Sequence, residues 1–220
     1  MNGLEQFFQD AADFLPILMS GVGVTISVTL TAMVISLGLG MVWALMGRSK
    51  IGALRVISRV IINTVRGVPI IVQLFYVYFV LPELGVQLDA FVAGAIGLGL
   101  AYSVYQAENF RAGFASVDPA LIEAAQALGL SERKIFLRVI LPLAVRVSLP
   151  PFGNTAIMLL KDSSIASTIT VAELTRAGQL LAVSTFKNMS VYTLIAILYL
   201  VMSLPLTLLV SRLERKFARK

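Results

Sequence analysis

Two pairs of charged residues stand at the margins of long apolar runs, Glu108 with Arg111 and Lys161 with Asp162. An ammonium and a carboxylate held together at membrane depth complement the carboxylate and amino group of a zwitterion, each through a charge-assisted hydrogen bond. Lys161 and Asp162 are candidate solute contacts on that ground; the alternative is that the adjacent pair neutralises itself or caps helix ends. Asn154 and Thr155, a few positions earlier, either line the same pathway or hydrogen-bond to a neighbouring helix, and taken singly each favours the second. Glu108 and Arg111 are three apart and able to bridge on one helix face, so they read first as a structural ion pair and second as an inner gate. Other chemistry is closed off. The chain has no His and no Cys, which removes imidazole and thiolate metal sites, disulfides, Cys nucleophiles and any His general base. Glu108 and Asp162 fall toward opposite ends of adjacent apolar runs, so a carboxylate-pair enzyme is not expected either.

The elements that carry these residues are membrane helices. Of the 220 residues 58% are hydrophobic and 14% charged, and the mean hydropathy is +0.88, values outside the range of a soluble domain. Three stretches without charge, 14–47, 90–107 and 188–211, are long enough to cross a hydrocarbon core as helices. Two more, 60–82 and 139–160, are interrupted only by Arg66 and Arg146. The expected fold is therefore all-α and integral to the membrane, with five spans in a single domain over 1–220. The first run is too long for one perpendicular helix, and Gly21, Gly23, Gly38 and Gly40 offer places to kink or tilt. Pro150 and Pro151 are expected to bend the fourth span. Residues 1–13 hold Glu5, Asp10 and Asp13 and no basic residue, unlike the leader of a secretory signal.

Basic residues sort by segment. Fifteen of the 18 fall after span one, around the connection between spans three and four, or at the C-terminus. The rule that basic loops stay inside places those segments in the cytoplasm and the N-terminus outside. The net charge of +6 thus reflects topology rather than nucleic-acid binding. Over 51–65, Ile51, Leu54, Ile57, Ile61 and Val65 recur at helical spacing opposite Arg55, Arg59 and Arg66, an amphipathic lead-in at the inner interface with its arginines at the headgroups. Ala93, Gly97 and Ala101, with Ala95 and Gly99, form a small-residue face for close helix packing. Trp43, Tyr76, Tyr78, Tyr102 and Tyr105 read as packing and interfacial residues.

Between spans three and four, over about 118–142, Asp118 suits an N-cap, Pro119 a first helical position and Gly129 a positive-φ stop, enclosing the Ala-rich segment around Glu123, Ala124 and Ala125. A short helix across the inner face, with a small-residue surface open to another protein, is the expectation.

Glu123-Ala124-Ala125, then Gly129, Val139, Leu141 and Pro142 at their spacing, resembles the EAA loop of binding-protein-dependent ABC importer permeases. Arg66-Gly67-Val68-Pro69 through Gln73, Ala107-Glu108 with Arg111 and Gly113, and Leu149-Pro150-Pro151 through Lys161-Asp162-Ser163-Ser164 are similar to segments of the polar amino acid permeases, the histidine, glutamate, glutamine and arginine type. The resemblance runs from about residue 17 onward. It implies the type I importer permease fold, with five spans and a cytoplasmic coupling helix. It also implies a bacterial inner-membrane location and coupling to an ATPase through Glu123, Ala124, Ala125 and Gly129. The expected partners are an identical or homologous permease, two ATP-binding subunits, an extracytoplasmic solute-binding protein, an amino-acid solute and the lipid bilayer. No Gly-x-x-x-x-Gly-Lys-[Ser/Thr] occurs in the chain, so ATP and Mg²⁺ are expected in the partner and no cofactor or enzymatic activity here. Related solutes such as opines or ectoines, or an ATP-independent channel or secondary transporter, are the alternatives.

Overall fold

The computed structural model describes residues 3–218; Arg219 and Lys220, counted above among the C-terminal basic residues, lie outside them. The first element, α1 (Gly3–Arg48), is a single helix of 46 residues. At about 1.5 Å per residue it is about 69 Å long, and no ordinary tilt fits that into a core about 30 Å thick, so its N-terminal third stands beyond the apolar layer. It runs as one helix through Gly21, Gly23, Gly38 and Gly40. Two of those glycines serve contact: a Cβ at Gly21 would stand 2.7 Å from the Leu174 Cα, and one at Gly40 2.6 Å from the Gln106 Cβ.

A turn leads into α2 (Gly52–Gly67), which is followed by α3 (Ile70–Phe75), a π-type turn (Tyr76–Val80) and a 3₁₀ turn (Leu81–Leu84). The axis bends by 104° between Gly52–Gly67 and Ile70–Leu84. Val68 is forced extended (φ −105, ψ 131) by the proline that follows it. Gln73 then closes the corner, its Nε2 donating to the carbonyls of Val65 and Val68, each at 2.8 Å. The second span is accordingly shorter than the 60–82 expected: it begins after the corner, and residues before it belong to α2.

The third span, α4 (Ala90–Ala115), starts on an Asp89 cap whose side chain accepts from Val92 N. It is the most enclosed helix, packed on α1 along most of its length and on α3 and the fourth span. Its small residues do what their pattern suggested: a Cβ at Gly97 would press on Leu74 at 2.7 Å, and one at Gly99 on Ile35 at 2.6 Å. After α5 (Pro119–Ala127), the short α6 (Glu132–Ile135) and a π-type turn (Phe136–Ile140) feed α7 (Leu141–Asp162). The last continues as one helix through Pro150 and Pro151.

A buried 3₁₀ segment (Ser163–Ile169) leads to α8 (Leu174–Thr185), a helix that the charge gaps did not reveal, and α9 (Asn188–Ala218) returns across the bundle. Glu173, fully buried, caps α8 by accepting from Thr175 N (2.9 Å) and Arg176 N (2.7 Å) and from the Tyr199 hydroxyl (2.8 Å). Thr25 Oγ1 accepts from Leu174 N at 3.0 Å, and Asp10 takes Lys187 and Ser190, so α8 lies along the outlying part of α1. Among the described residues four helices are long and apolar enough to cross a membrane, or five spans if the bent pair counts as one. Three apolar clusters succeed one another along α1, around Phe14 and Leu18, around Val28 and Ala32, and around Ala44.

Candidate functional site

At the end of the bundle where α1 finishes, α5 is closed at both ends by its own sequence. Asp118 accepts from Ala120 N at 2.9 Å. At the other end Gly129 adopts φ +73, its N–H reaching the Gln126 carbonyl (2.9 Å) while Leu130 N reaches that of Ala125 (3.2 Å), a Schellman stop that only a residue tolerant of positive φ completes without strain. Of the motif residues, Glu123 and Ala124 face outward and Gly129 is exposed. Ala125 does not: it is 5% exposed and packs with Phe110, Phe114, Val117, Ile135 and Ala144. The expectation that Ala125 offers a small surface to a partner is therefore corrected. Its lack of bulk seats α5 on the ends of α4 and α7. The face left open carries Leu121 (48% exposed), Ala124 and Leu128 (80% exposed), one stripe at helical spacing.

Along the antiparallel pair α4 and α7, polar groups meet at regular intervals. Ser148 Oγ donates to the Asn109 carbonyl (3.0 Å), Asn109 Nδ2 donates to Thr155 Oγ1 (3.1 Å), and the Tyr102 hydroxyl donates to Asp162 Oδ2 (2.6 Å). The α7 members stand seven apart, and so do Tyr102 and Asn109, which keeps them on one seam of each helix. Asn109 also donates to Gln106 Oε1 (3.0 Å), and Gln106 is fully buried. At Gly113 a Cβ would collide with Ser148 and with the Ala144 carbonyl, so the helices touch closely at the α5 end of this ladder.

The predicted site residues divide across this arrangement. Asp162 ends the ladder on the buried Tyr102 rather than pairing with its neighbour Lys161, which is exposed and has no ion pair among the described residues. Thr155 is buried between α4 and α7, whereas the adjacent Asn154 points to α9 and donates to Glu214 Oε1 at 3.1 Å. They do not form one polar wall. Glu108 and Arg111 do pair, at 2.6 Å, and Glu108 also stands 3.8 Å from Arg66. Trp43 is a packing residue, its Nε1 donating to Ser103 Oγ at 3.1 Å. Residue types alone did not single out Asn109, Ser148 and the Tyr102 hydroxyl; the seven-residue recurrence from 148 to 155 to 162 was the available signal.

A family model described as binding-protein-dependent transport system inner membrane component matches residues 36–219. The chain is 35% identical over 222 residues to the probable amino-acid permease protein YxeN of Bacillus subtilis (strain 168), covering 100% of this chain and 98% of that protein. It is 37% identical over 207 residues to the L-cystine transport system permease protein TcyB of the same organism, covering 94% and 88%. In three dimensions it matches a crystal structure of an amino acid ABC transporter with histidines, with a TM-score of 0.87 at 36% identity over 95% of this chain and 98% of that one.

Proposed function

The chain belongs to the binding-protein-dependent transport system inner membrane components, and we propose that it is one permease subunit of an ATP-driven importer for polar amino acids. An amino-acid ABC permease works with an ATPase and a solute-binding protein. On this reading the assembly holds a second, identical or homologous permease and two ATP-binding subunits, which bind ATP and Mg²⁺ and supply the hydrolysis. A binding protein delivers the amino acid on the outer side. The chain acts as a single permease domain in a bacterial inner membrane. The observation that carries the reading is α5: a helix capped at both ends, anchored by Ala125 to α4 and α7, and open along Leu121, Ala124 and Leu128. Glu123, Ala124 and Gly129 belong to the outer side of that unit, and Ala125 holds it in place.

Reconstitution of the permease with its ATPase and binding protein tests the function. Vesicle uptake of labelled glutamine, cystine, arginine and histidine is expected only with ATP and binding protein present, with opines and ectoine competing weakly. Uptake that continued without the ATPase would make the protein a channel or secondary transporter and overturn the proposal.

The orientation follows from the basic residues, which place α5 and the C-terminus in the cytoplasm and the start of α1 outside. In this Cys-free chain, Gln6→Cys and Lys134→Cys introduce single exposed thiols near opposite ends of the molecule. An impermeant maleimide on intact spheroplasts is expected to label the first and spare the second until the membrane is opened. The reverse pattern would invert the topology.

A further inference from the structure

The helix before the corner has three distinct sides. Leu54, Ser58, Ile61 and Val65 turn toward α1 and α4, with the Ser58 hydroxyl donating to the Trp43 carbonyl at 2.8 Å. Val56, Ile57 and Val60 are 58%, 46% and 57% exposed on a second side. Arg55, Arg59, Asn63 and Arg66 occupy the third, about 120° round the helix from the exposed apolar side at about 100° per residue. The 104° corner lays α2 across the direction of the span that follows it. An amphipathic helix so placed lies in the membrane interface, with its apolar side among acyl chains.

The arginine side does not simply face water. Between it and the inner end of α4 is a cleft of about 260 Å³ whose lining includes Gly47, Arg55, Arg59, Asn63, Glu108 and Arg111. Glu108 is its single acid, against three arginines. That acid is already committed: Arg111 donates to Glu108 Oε2 through Nε at 2.7 Å and approaches it through Nη2 at 2.6 Å. Arg55 and Arg59 have no ion pair among the described residues. Two unpaired guanidinium groups converging on a cleft, with an amide beside them, suit a phosphate, whose oxygens accept from the planar fork of arginine.

We propose that this cleft binds the phosphate of an anionic phospholipid headgroup, held between α2 and α4 while the acyl chains run past Val56, Ile57 and Val60. A soluble phosphate would satisfy the same donors. The lipid is the source the structure favours, because the cleft opens beside an apolar side already in the bilayer. The proposal rests on the chain lying in a membrane and not on which solute it carries. Lipid here fastens α2 to the inner end of α4, beside the Glu108 and Arg111 pair. The site therefore ties the permease to membrane charge.

Native mass spectrometry of the permease–ATPase complex, equilibrated with phosphatidylcholine vesicles with and without phosphatidylglycerol, reads the site directly. Phosphatidylglycerol is expected to stay bound through delipidation. Occupancy should fall on the order of fivefold for each arginine lost in Arg55→Gln and Arg59→Gln, recover in part in the lysine variants, and stay unchanged in Lys216→Gln. Both arginines are exposed, and retention of the ATPase by each variant verifies that it is folded. Equal phosphatidylglycerol retention by the parent and the double glutamine variant would overturn the proposal. So would displacement of the lipid by millimolar inorganic phosphate, which would make the cleft a site for a soluble anion.

Discussion

Leu128→Asp is expected to leave the permease inserted and stable while reducing ATPase retention and binding-protein-stimulated hydrolysis by about tenfold to a hundredfold. Leu128 is 80% exposed at the end of α5 and touches no core, so the folded chain loses little by its replacement. Burying a leucine against a partner is worth about 1.5–3 kcal/mol, which is about that range in affinity, and a carboxylate in its place adds a desolvation cost. Ala125→Leu should act by another route. Ala125 is enclosed by Phe114, Val117 and Ile135, and overfilling such a site costs about 1–3 kcal/mol, so that variant loses thermal stability before it loses its partner. Parallel measurements of detergent thermostability and ATPase pull-down separate the two. If Leu128→Asp held the ATPase as tightly as the parent, α5 would not be the docking element.

On the proposed reading, the same packing would carry an event at α5 toward the middle of the membrane. Phe110 and Phe114 on α4, Ile140 in the turn that feeds α7, and Ala144 on α7 belong to the cluster that holds Ala125. The ladder of Ser148, Asn109 and Thr155 then joins those two helices farther along. A displacement of α5 would then carry both helix ends together, because a close-packed cluster shifts between arrangements rather than yielding by degrees.

Much of this was legible in the sequence because membrane physics writes large signals. A charge-free run long enough to span is hard to mistake, and it located α1, α4 and α9. The caps of α5 were equally plain, since Asp118, Pro119 and Gly129 each have few other structural uses. The failures have common causes. Gly21 and Gly40 looked like hinges because a glycine that relieves the backbone and one that admits a neighbour are the same letter; only Leu174 and Gln106 lying against them decide which. The corner at Val68 was written in the following proline, but the apolar run continued through it and masked the break. The helix α8 is short and mixed in polarity, and its cap, Glu173, is buried by residues as distant as Tyr199. Ala125 could not be assigned inward or outward from an Ala-rich segment whose register against α4 and α7 was unknown. The Lys161 and Asp162 pair shows what adjacency in sequence leaves open: neighbours in a helix point about 100° apart, and Asp162 takes a partner sixty residues away.

That partner gives the solute hypothesis its sharpest form. Asp162→Asn is expected to cut uptake by about tenfold to a hundredfold, the worth of one hydrogen bond to a charged group, with assembly and binding-protein affinity unchanged. The asparagine keeps an oxygen where the Tyr102 hydroxyl donates at 2.6 Å, so the contact between α4 and α7 survives and only the negative charge is lost. Tyr102→Phe does the opposite: the charge stays and the contact goes. If Asp162 receives the amino group of the solute, the asparagine variant is the more severely impaired, and Lys161→Met, removing an exposed ammonium that suits the solute carboxylate, weakens uptake as well. If Asp162 only joins two helices, the order reverses, with Tyr102→Phe losing stability and transport together while Asp162→Asn transports at the parent rate. Initial uptake rates and melting temperatures for the three variants decide between these outcomes, because the two roles predict opposite rankings rather than different degrees of one effect.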